Sequence, residues 1–295
     1  MALLAGPASL AFAQALGKAM DAPLGKVEQK RFPDGEAYCR VAEPLKDQDT
    51  VVVQATPTDA ALVELILLLD AAREAGARTI TAVVPYLGYA RQDRAFQSGE
   101  AVSSRAILRS LRGGCDRLIT VDPHKPEVLT HFGPAAQAVS AVPQLAAELG
   151  RWGVDCILAP DEGAHTRAVA AGAILGVPVD HLVKTRLSPT EVRMATKQLD
   201  VKGRRVAILD DLVASGGTMV TAAQELKRQG AAAVYAVCTH GLFSGDALPK
   251  LLAGGVDRAL CTDTALWSPP RCDVVSAAPA VAAALLVPAA SVAPS

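Results

Sequence analysis

Short β-branched runs alternate with longer helical patterns along nearly the whole chain, and this cadence constrains the fold more than any other feature. Residues 51–54 read as a strand before a helical pattern over 59–74, which stops at Gly76, a favoured residue just past a helix end. A strand over 79–84 is halted by Pro85. A helix over 103–111 then runs into Gly113-Gly114, and 117–121 is again strand-like. The rhythm returns in the second half, with strands over 156–159, 179–183, 205–209, 232–238 and 258–261 and helices over 166–175 and 218–229. Strands separated by helices, with no tight hairpin signal, imply an α/β fold whose parallel sheets are covered on both faces.

At 295 residues the chain is long for one core and sufficient for two α/β domains. The break is expected at Ser140-Ala141-Val142-Pro143, where a strand-like run meets a proline and a new helix, giving domains 1–141 and 142–295. With 51% hydrophobic and 20% charged residues and a net charge of −1, the composition is that of a globular protein, and electrostatics give no support for a nucleic acid partner. The six cysteines include no Cys-x-x-Cys pair, so buried thiols in a reducing cytoplasm are expected, without zinc or disulfides. The apolar N-terminus has no basic residue before Lys18 and reads as a strand and helix, not a leader. The most apolar stretch, 60–72, is broken by Glu64 and Asp70, so no membrane span is expected. From Pro279 the alanine-rich sequence with several prolines reads as a tail.

The strongest local signal is the run 206–218, where an apolar strand ends in Asp210-Asp211 and a turn, Ala214-Ser215-Gly216-Gly217-Thr218, opens a helix. Backbone N–H groups at such a turn converge on an anion, and glycines allow a phosphate to approach closely. Ser215 and Thr218 add hydroxyl donors, and the acid pair suits sugar hydroxyls or a hydrated Mg²⁺. A plain helix cap would account for a Gly-Gly turn alone but not for the acids before it and the threonine after it. This element resembles the ribose-phosphate loop shared by type I phosphoribosyltransferases and ribose-phosphate pyrophosphokinases. On this loop alone the two functions are not separated.

The upstream motifs separate them. Phe32-Pro33-Asp34-Gly35-Glu36 resembles the adenine-contacting segment of the pyrophosphokinase family, and Pro85 to Arg94 resembles its Pro-Tyr-x-x-Tyr-Ala-Arg-Gln-Asp signature. Thr120-Val121-Asp122-Pro123-His124 closes another strand with polar groups. Asp161-Glu162-Gly163-Ala164 resembles the diphosphate loop, Lys184-Thr185-Arg186 the catalytic arm, and Thr239 to Gly245 a further family segment. The chain is similar to the family from Leu3 to about Leu286, with motifs in the family's order.

The resemblance implies two tandem type I phosphoribosyltransferase-like domains, each a mainly parallel sheet flanked by helices, the first binding ATP and the second ribose 5-phosphate. It implies that Phe32, Asp34, Glu36, Arg91, Gln92, Asp93 and His124 bind ATP. Asp210, Asp211, Ala214, Ser215, Gly216, Gly217 and Thr218 are implied for ribose 5-phosphate, and Asp161, Glu162, Gly163 and Ala164 for diphosphate. His124 and Asp161 are implied as Mg²⁺ ligands, and Lys184, Arg186 and His124 as catalytic. A homo-oligomer, a dimer or larger, is implied, with the adenine site shared between subunits. The chain departs from the usual pattern at Ala214, where many members carry an acid, and at Glu162 and Ala164. Lys-Thr-Arg in place of Lys-Arg-Arg is similar to the archaeal-type, less regulated branch. The alternatives are a phosphoribosyltransferase, which has no use for the ATP motifs, and a non-catalytic regulatory subunit, which would lack the cations and His124 that are present here.

Overall fold

The computed structural model describes residues 1–186, 192–196, 200–265 and 270–287, the side chains within 183–199 excepted. The chain divides between Ser140 and Ala141 into two units.

The first unit contains β1 (Ala2–Ala5), α1 (Leu10–Met20), β2 (Val27–Arg31), β3 (Ala37–Val41), β4 (Asp49–Val53), α2 (Asp59–Glu74), β5 (Thr79–Val84), α3 (Ser103–Arg112), β6 (Arg117–Val121) and β7 (Ala136–Val139). Its main sheet is parallel throughout, in the order β1-β4-β5-β6-β7. The α2 helix begins at Asp59 because the Thr58 hydroxyl accepts the Ala61 N–H, one of the donors a helix start leaves without an intrahelical partner. From α2 and α3, Leu65, Leu68, Leu69, Leu108 and Leu111 bury one face of the sheet against Val52, Ile80, Val84 and Leu118. Such strands read as nearly continuous apolar runs because both faces are covered.

The second unit contains α4 (Val142–Trp152), β8 (Cys156–Ala159), α5 (His165–Leu175), β9 (Val179–Arg186), β10 (Val192–Thr196), β11 (Arg205–Val213), α6 (Gly217–Arg228), β12 (Ala233–Gly241), α7 (Ala247–Ala253), β13 (Arg258–Thr262) and β14 (Cys272–Val275). Its sheet order is β10-β9-β8-β11-β12-β13-β14. One face is packed by α6 and α7 through Met219, Ala222, Leu226, Leu248 and Leu251, the other by α4 and α5 through Leu145, Leu149, Ala168 and Ala171.

The last helix, α8 (Ala278–Leu286), corrects the sequence reading. The expected second domain ran over 142–295 with an alanine-rich tail, but α8 belongs to the first unit. It packs on α1, β6 and β7. The physical reason is burial. Leu3, Val51, Val53, Val83, Ile119 and Val121 are fully or almost fully buried on the face away from α2, and α1 with Phe12 and Leu16 is joined there by Val281 and Ala278 of α8. Arg117 completes the docking: its guanidinium donates to the carbonyls of Ala284 (2.9 Å) and Val287 (3.1 Å) at the helix end. A cation there also meets the negative end of the helix dipole.

Two antiparallel pairs were also not expected. β2 pairs β3, and β9 pairs β10. The β2–β3 flanks are mostly half-buried or exposed and carry no regular alternation, so no strand pattern marks them. All six cysteines are free thiols, four of them buried. Among the described residues no helix is long and apolar enough to cross a membrane.

Replacing Arg117 with alanine is expected to lower unfolding stability by about 1–3 kcal/mol, through loss of the charged donors to the α8 carbonyls. Urea denaturation checks this, and an unchanged midpoint would show that α8 docks without them.

Candidate active site

The strand order of the second unit reverses at one place. From β8 the chain crosses to β9 on one side; β11 lies on the other side of β8, and the chain then moves outward to β12 and β13. A crevice at the carboxyl ends of β8 and β11 is the favoured ligand position in open parallel sheets. Residues 161–164 leave β8 there and residues 214–218 leave β11 there.

The acid pair does not follow β11 as the sequence suggested but lies inside it. The strand continues to Val213, with Asp210 opposite Cys238 and Val213 opposite Gly241. Asp211 is buried and Asp210 half-buried. The Asp210 carboxylate accepts the backbone N–H of Asp211 at 2.8 Å. Burial, followed by the hydrogen bond and charge of the Asp211 carboxyl and by the more distant charge of Asp161, raises the Asp210 pKa to about 7.

Beyond Val213 the chain enters the anion cradle. Gly216 takes a left-handed conformation (φ 75°) as the N-cap of α6, a backbone state that glycine adopts at low cost. A Cβ on Gly217 would meet nothing within 4 Å, so this side of the turn is open. Ser215, Gly217 and Thr218 are exposed, while Met219 anchors the helix in the core. The cradle is braced from the end of β12, where Leu242 and Phe243 donate backbone N–H to the Val213 carbonyl and Ser244 donates to the Ala214 carbonyl at 3.0 Å. Ala214 thus contributes a backbone anchor, and its methyl group supplies no polar contact.

In the adjoining loop, Asp161 accepts the Ala164 N–H at 3.1 Å, which shapes the turn into α5. Asp161, Glu162 and Gly163 are exposed and Ala164 is buried. Lys184 and Arg186 lie on β9, and Lys184 pairs in register with Met194. Their side chains lie outside the described residues.

The first unit shows no reversal of strand order, and its predicted residues lie on loops. Phe32–Glu36 connects β2 to β3, with the Asp34 carboxylate accepting the Glu36 N–H at 3.1 Å and Gly35 at φ 94°. Phe32 is 43% exposed, too open for a core anchor; its ring packs edge-on to Tyr38, beneath the Lys30 ammonium. The hairpin is fastened to α2 by an Arg31–Glu64 ion pair, and Glu64 also accepts from Gln54 at the end of β4. A cavity of about 210 Å³ lies under it, lined by Arg31, Tyr38, Cys39, Glu64 and Leu67. Sequence reasoning gave Gln54 and Glu64 no part here; the legible signal is a polar residue ending the apolar run Val51-Val52-Val53, and Gln54 is fully buried.

After β5, Gly88 donates its N–H to the Thr56 hydroxyl at 2.9 Å, and a Cβ there would stand 2.1 Å from the Thr56 carbonyl. Arg91 is exposed. Gln92 accepts from the Ser103 and Ser104 hydroxyls at the start of α3, through its side chain and its backbone carbonyl. Asp93 accepts from Lys125 at 2.6 Å, which holds its pKa below the usual carboxylate value. After β6, Asp122 takes φ 34° and is buried, and His124 is exposed. Among the described residues no group of three or more His, Cys, Asp or Glu side chains converges as a metal cage.

Residues 1–113 match the model for the N-terminal domain of ribose phosphate pyrophosphokinase, and 133–250 match that of the phosphoribosyl transferase domain. The chain is 45% identical to a ribose-phosphate pyrophosphokinase of Methanopyrus kandleri, over 97% of this chain and 98% of that protein. It is 42% identical to one from Pyrococcus furiosus, over 82% and 87%. The crystal structure of phosphoribosylpyrophosphate synthetase from Mycobacterium smegmatis matches with a TM-score of 0.86 at 29% identity, covering 96% of this chain and 97% of that one.

The raised Asp210 pKa carries a sign. Between about pH 4, where the carboxyl of an unfolded chain ionises, and about pH 7, the folded protein holds a proton that the unfolded chain has lost, so stability falls as pH rises through that window. Asp210→Asn is expected to raise the melting temperature of the ligand-free protein at pH 8 and to leave it nearly unchanged at pH 4. An equal shift at both values would rule out Asp210 ionisation as the cause.

Proposed function

The chain belongs to the ribose-phosphate pyrophosphokinase family, and from that premise we propose how its residues divide the work of that activity, transfer of the β,γ-diphosphoryl group of ATP to the anomeric hydroxyl of ribose 5-phosphate. The observation that carries the assignment is the anion cradle at the start of α6, set beside the Asp210–Asp211 pair where the strand order reverses. Backbone N–H groups at Gly216 and Gly217, with the Ser215 and Thr218 hydroxyls, hold the 5-phosphate, and Ala214 fixes the turn through its carbonyl. Asp210 and Asp211 accept hydrogen bonds from the ribose hydroxyls and so orient the anomeric oxygen. The loop Asp161, Glu162, Gly163 and Ala164 receives the diphosphate.

On the ATP side, the Arg91 guanidinium binds phosphate oxygens in its planar fork and Gln92 adds an amide contact. Asp93 stands beside them, Phe32 stacks on adenine, and Asp34 and Glu36 provide polar contacts at the base. Lys184 and Arg186 offset the negative charge that moves onto departing AMP, the task for which preorganised cations are best suited. No covalent enzyme intermediate is required, since positioning and electrostatics suffice for phosphoryl chemistry. The family generally uses Mg²⁺. His124 in the first unit and Asp161 in the second are the proposed ligands, the latter with Asp210 and Asp211 close to it in the same unit, and Mg²⁺ when bound would neutralise phosphate charge. The exposed Phe32 loop suits an adenine site shared between subunits of a dimer or larger assembly in the cytoplasm. No role for nucleic acid or membrane is proposed.

Pure protein incubated with Mg-ATP and ribose 5-phosphate should release AMP and 5-phosphoribosyl diphosphate in equal amounts. Absence of both across a range of Mg²⁺ and phosphate concentrations would refute the assignment. Lys184→Ala should lower kcat by about 100-fold or more while leaving ATP binding by calorimetry almost unchanged. A wild-type rate would remove Lys184 from the chemistry.

A further inference from the structure

The groups assigned to ATP on the strand-end loops of the first unit come from two of them, one after β5 and one after β6, and an ion pair ties the two together. Lys125 Nζ lies 2.6 Å from Asp93 Oδ2. Lys125 has a stiff mount. It precedes Pro126, which restricts it to the extended backbone observed (φ −136°, ψ 118°), and the 3₁₀ helix Pro126–His131 behind it is anchored by the buried Val128 and Leu129. Asp93 belongs to a less secured stretch, in which residues 94–99 are exposed. Just before it, Gln92 is held by Ser103 and Ser104, and further back Gly88 is held by Thr56. Arg91 lies between these pins, and His124 directly precedes Lys125 in the chain.

We propose that Lys125 is a positioning residue that acts through Asp93, fixing the Arg91–Gln92 segment against the His124 loop so that the free protein presents its phosphate-binding groups as one set. The inference rests on the ATP reading of Arg91 and His124, and it changes the part played by Asp93, whose carboxylate is spent on the tether instead of on nucleotide. A bare carboxylate facing a triphosphate would repel it, whereas one neutralised by Lys125 does not. Ordering the loop before ATP arrives removes that entropy cost from binding. Loss of the tether should therefore appear in KM for ATP and not in KM for ribose 5-phosphate.

The test uses the full chain with Mg²⁺ and measures kcat, KM for each substrate and melting temperature for Lys125→Ala, Asp93→Ala, the double variant, Lys125→Arg and Arg91→Ala. Each alanine variant of the pair should raise KM for ATP about two- to fivefold, the worth of a half-exposed ion pair. The double variant should show no more than either single one, and Lys125→Arg should restore the wild-type value. KM for ribose 5-phosphate and the melting temperature should stay near wild type. Additive penalties would overturn the tether, because they mean that Lys125 and Asp93 contact ATP separately. So would an unchanged KM for ATP in Lys125→Ala, failure of the arginine variant to rescue, or a parallel rise in both KM values. Arg91→Ala separates the two levels: if it raises KM for ATP and Lys125→Ala does not, only the tether fails. If Arg91→Ala has no effect, the ATP reading of the loop fails and the tether falls with it.

Discussion

The second unit depends on the charge imbalance at the carboxyl end of β11. Asp210 is half-buried beside the buried Asp211, and burial, then the Asp211 carboxyl and the charge of Asp161, raise the Asp210 pKa to about 7. Adjacent carboxyls in such a place cost stability while both are ionised, and hydroxyl donors or cations in the crevice favour the ionised form. Beside this acidic patch lies the opposite device, the α6 N-terminus with its glycine turn, which attracts an anion. A ligand with adjacent hydroxyls at one end and a phosphate at the other satisfies both demands together, and a phosphorylated sugar has that shape.

The acids and the cradle follow one another along β11 and into α6, and topology brings the Asp161 loop beside them. β8 and β11 are neighbours although the hairpin β9–β10 separates them in sequence, and the chain departs from them in opposite directions. Neither loop has to cross the other, so both open into the same gap. The β12 end then locks the cradle through main-chain donors to Val213 and Ala214. This bracing explains why an alanine suffices at 214, since what is used there is a carbonyl, which every residue has.

Much of this was legible in the sequence where local chemistry and burial agree. The α2 helix is legible over its full length because its helical pattern stops at Gly76, and β5 and β6 are legible to the residue because their runs are mostly apolar. The hairpin around Phe32–Glu36 was not, because its strands rest on α2 by way of Arg31 and Glu64 and bury too little apolar surface to show a period of two. The α8 helix escaped for another reason. Alanines and a proline in the first turn are compatible with a helix, but only the apolar face of the first sheet and the Arg117 donors decide that one forms and where it docks. The acids of β11 were recognised but misplaced, since a pair of carboxylates argues against a strand interior unless a ligand site requires it.

The first unit meets the problem of building a site without a reversal of strand order. All its sheet strands after the hairpin are added in one direction, so no crevice arises from the sheet itself. Its polar groups are instead carried on long connections that must be held from outside: Thr56 under Gly88, Ser103 and Ser104 on Gln92, Lys125 on Asp93. Each pin is a side-chain contact, and each fixes a residue close to Arg91 in the chain without engaging Arg91 through the same bond. Preorganisation in this unit is therefore distributed over several weak contacts, whereas in the second unit it is a consequence of sheet topology. Substitutions at the pins should erode nucleotide affinity in small steps. A disturbance of the β8–β11 edge, by contrast, acts on the fold and the sugar site together, because the strands that form the core are the same ones that aim the loops.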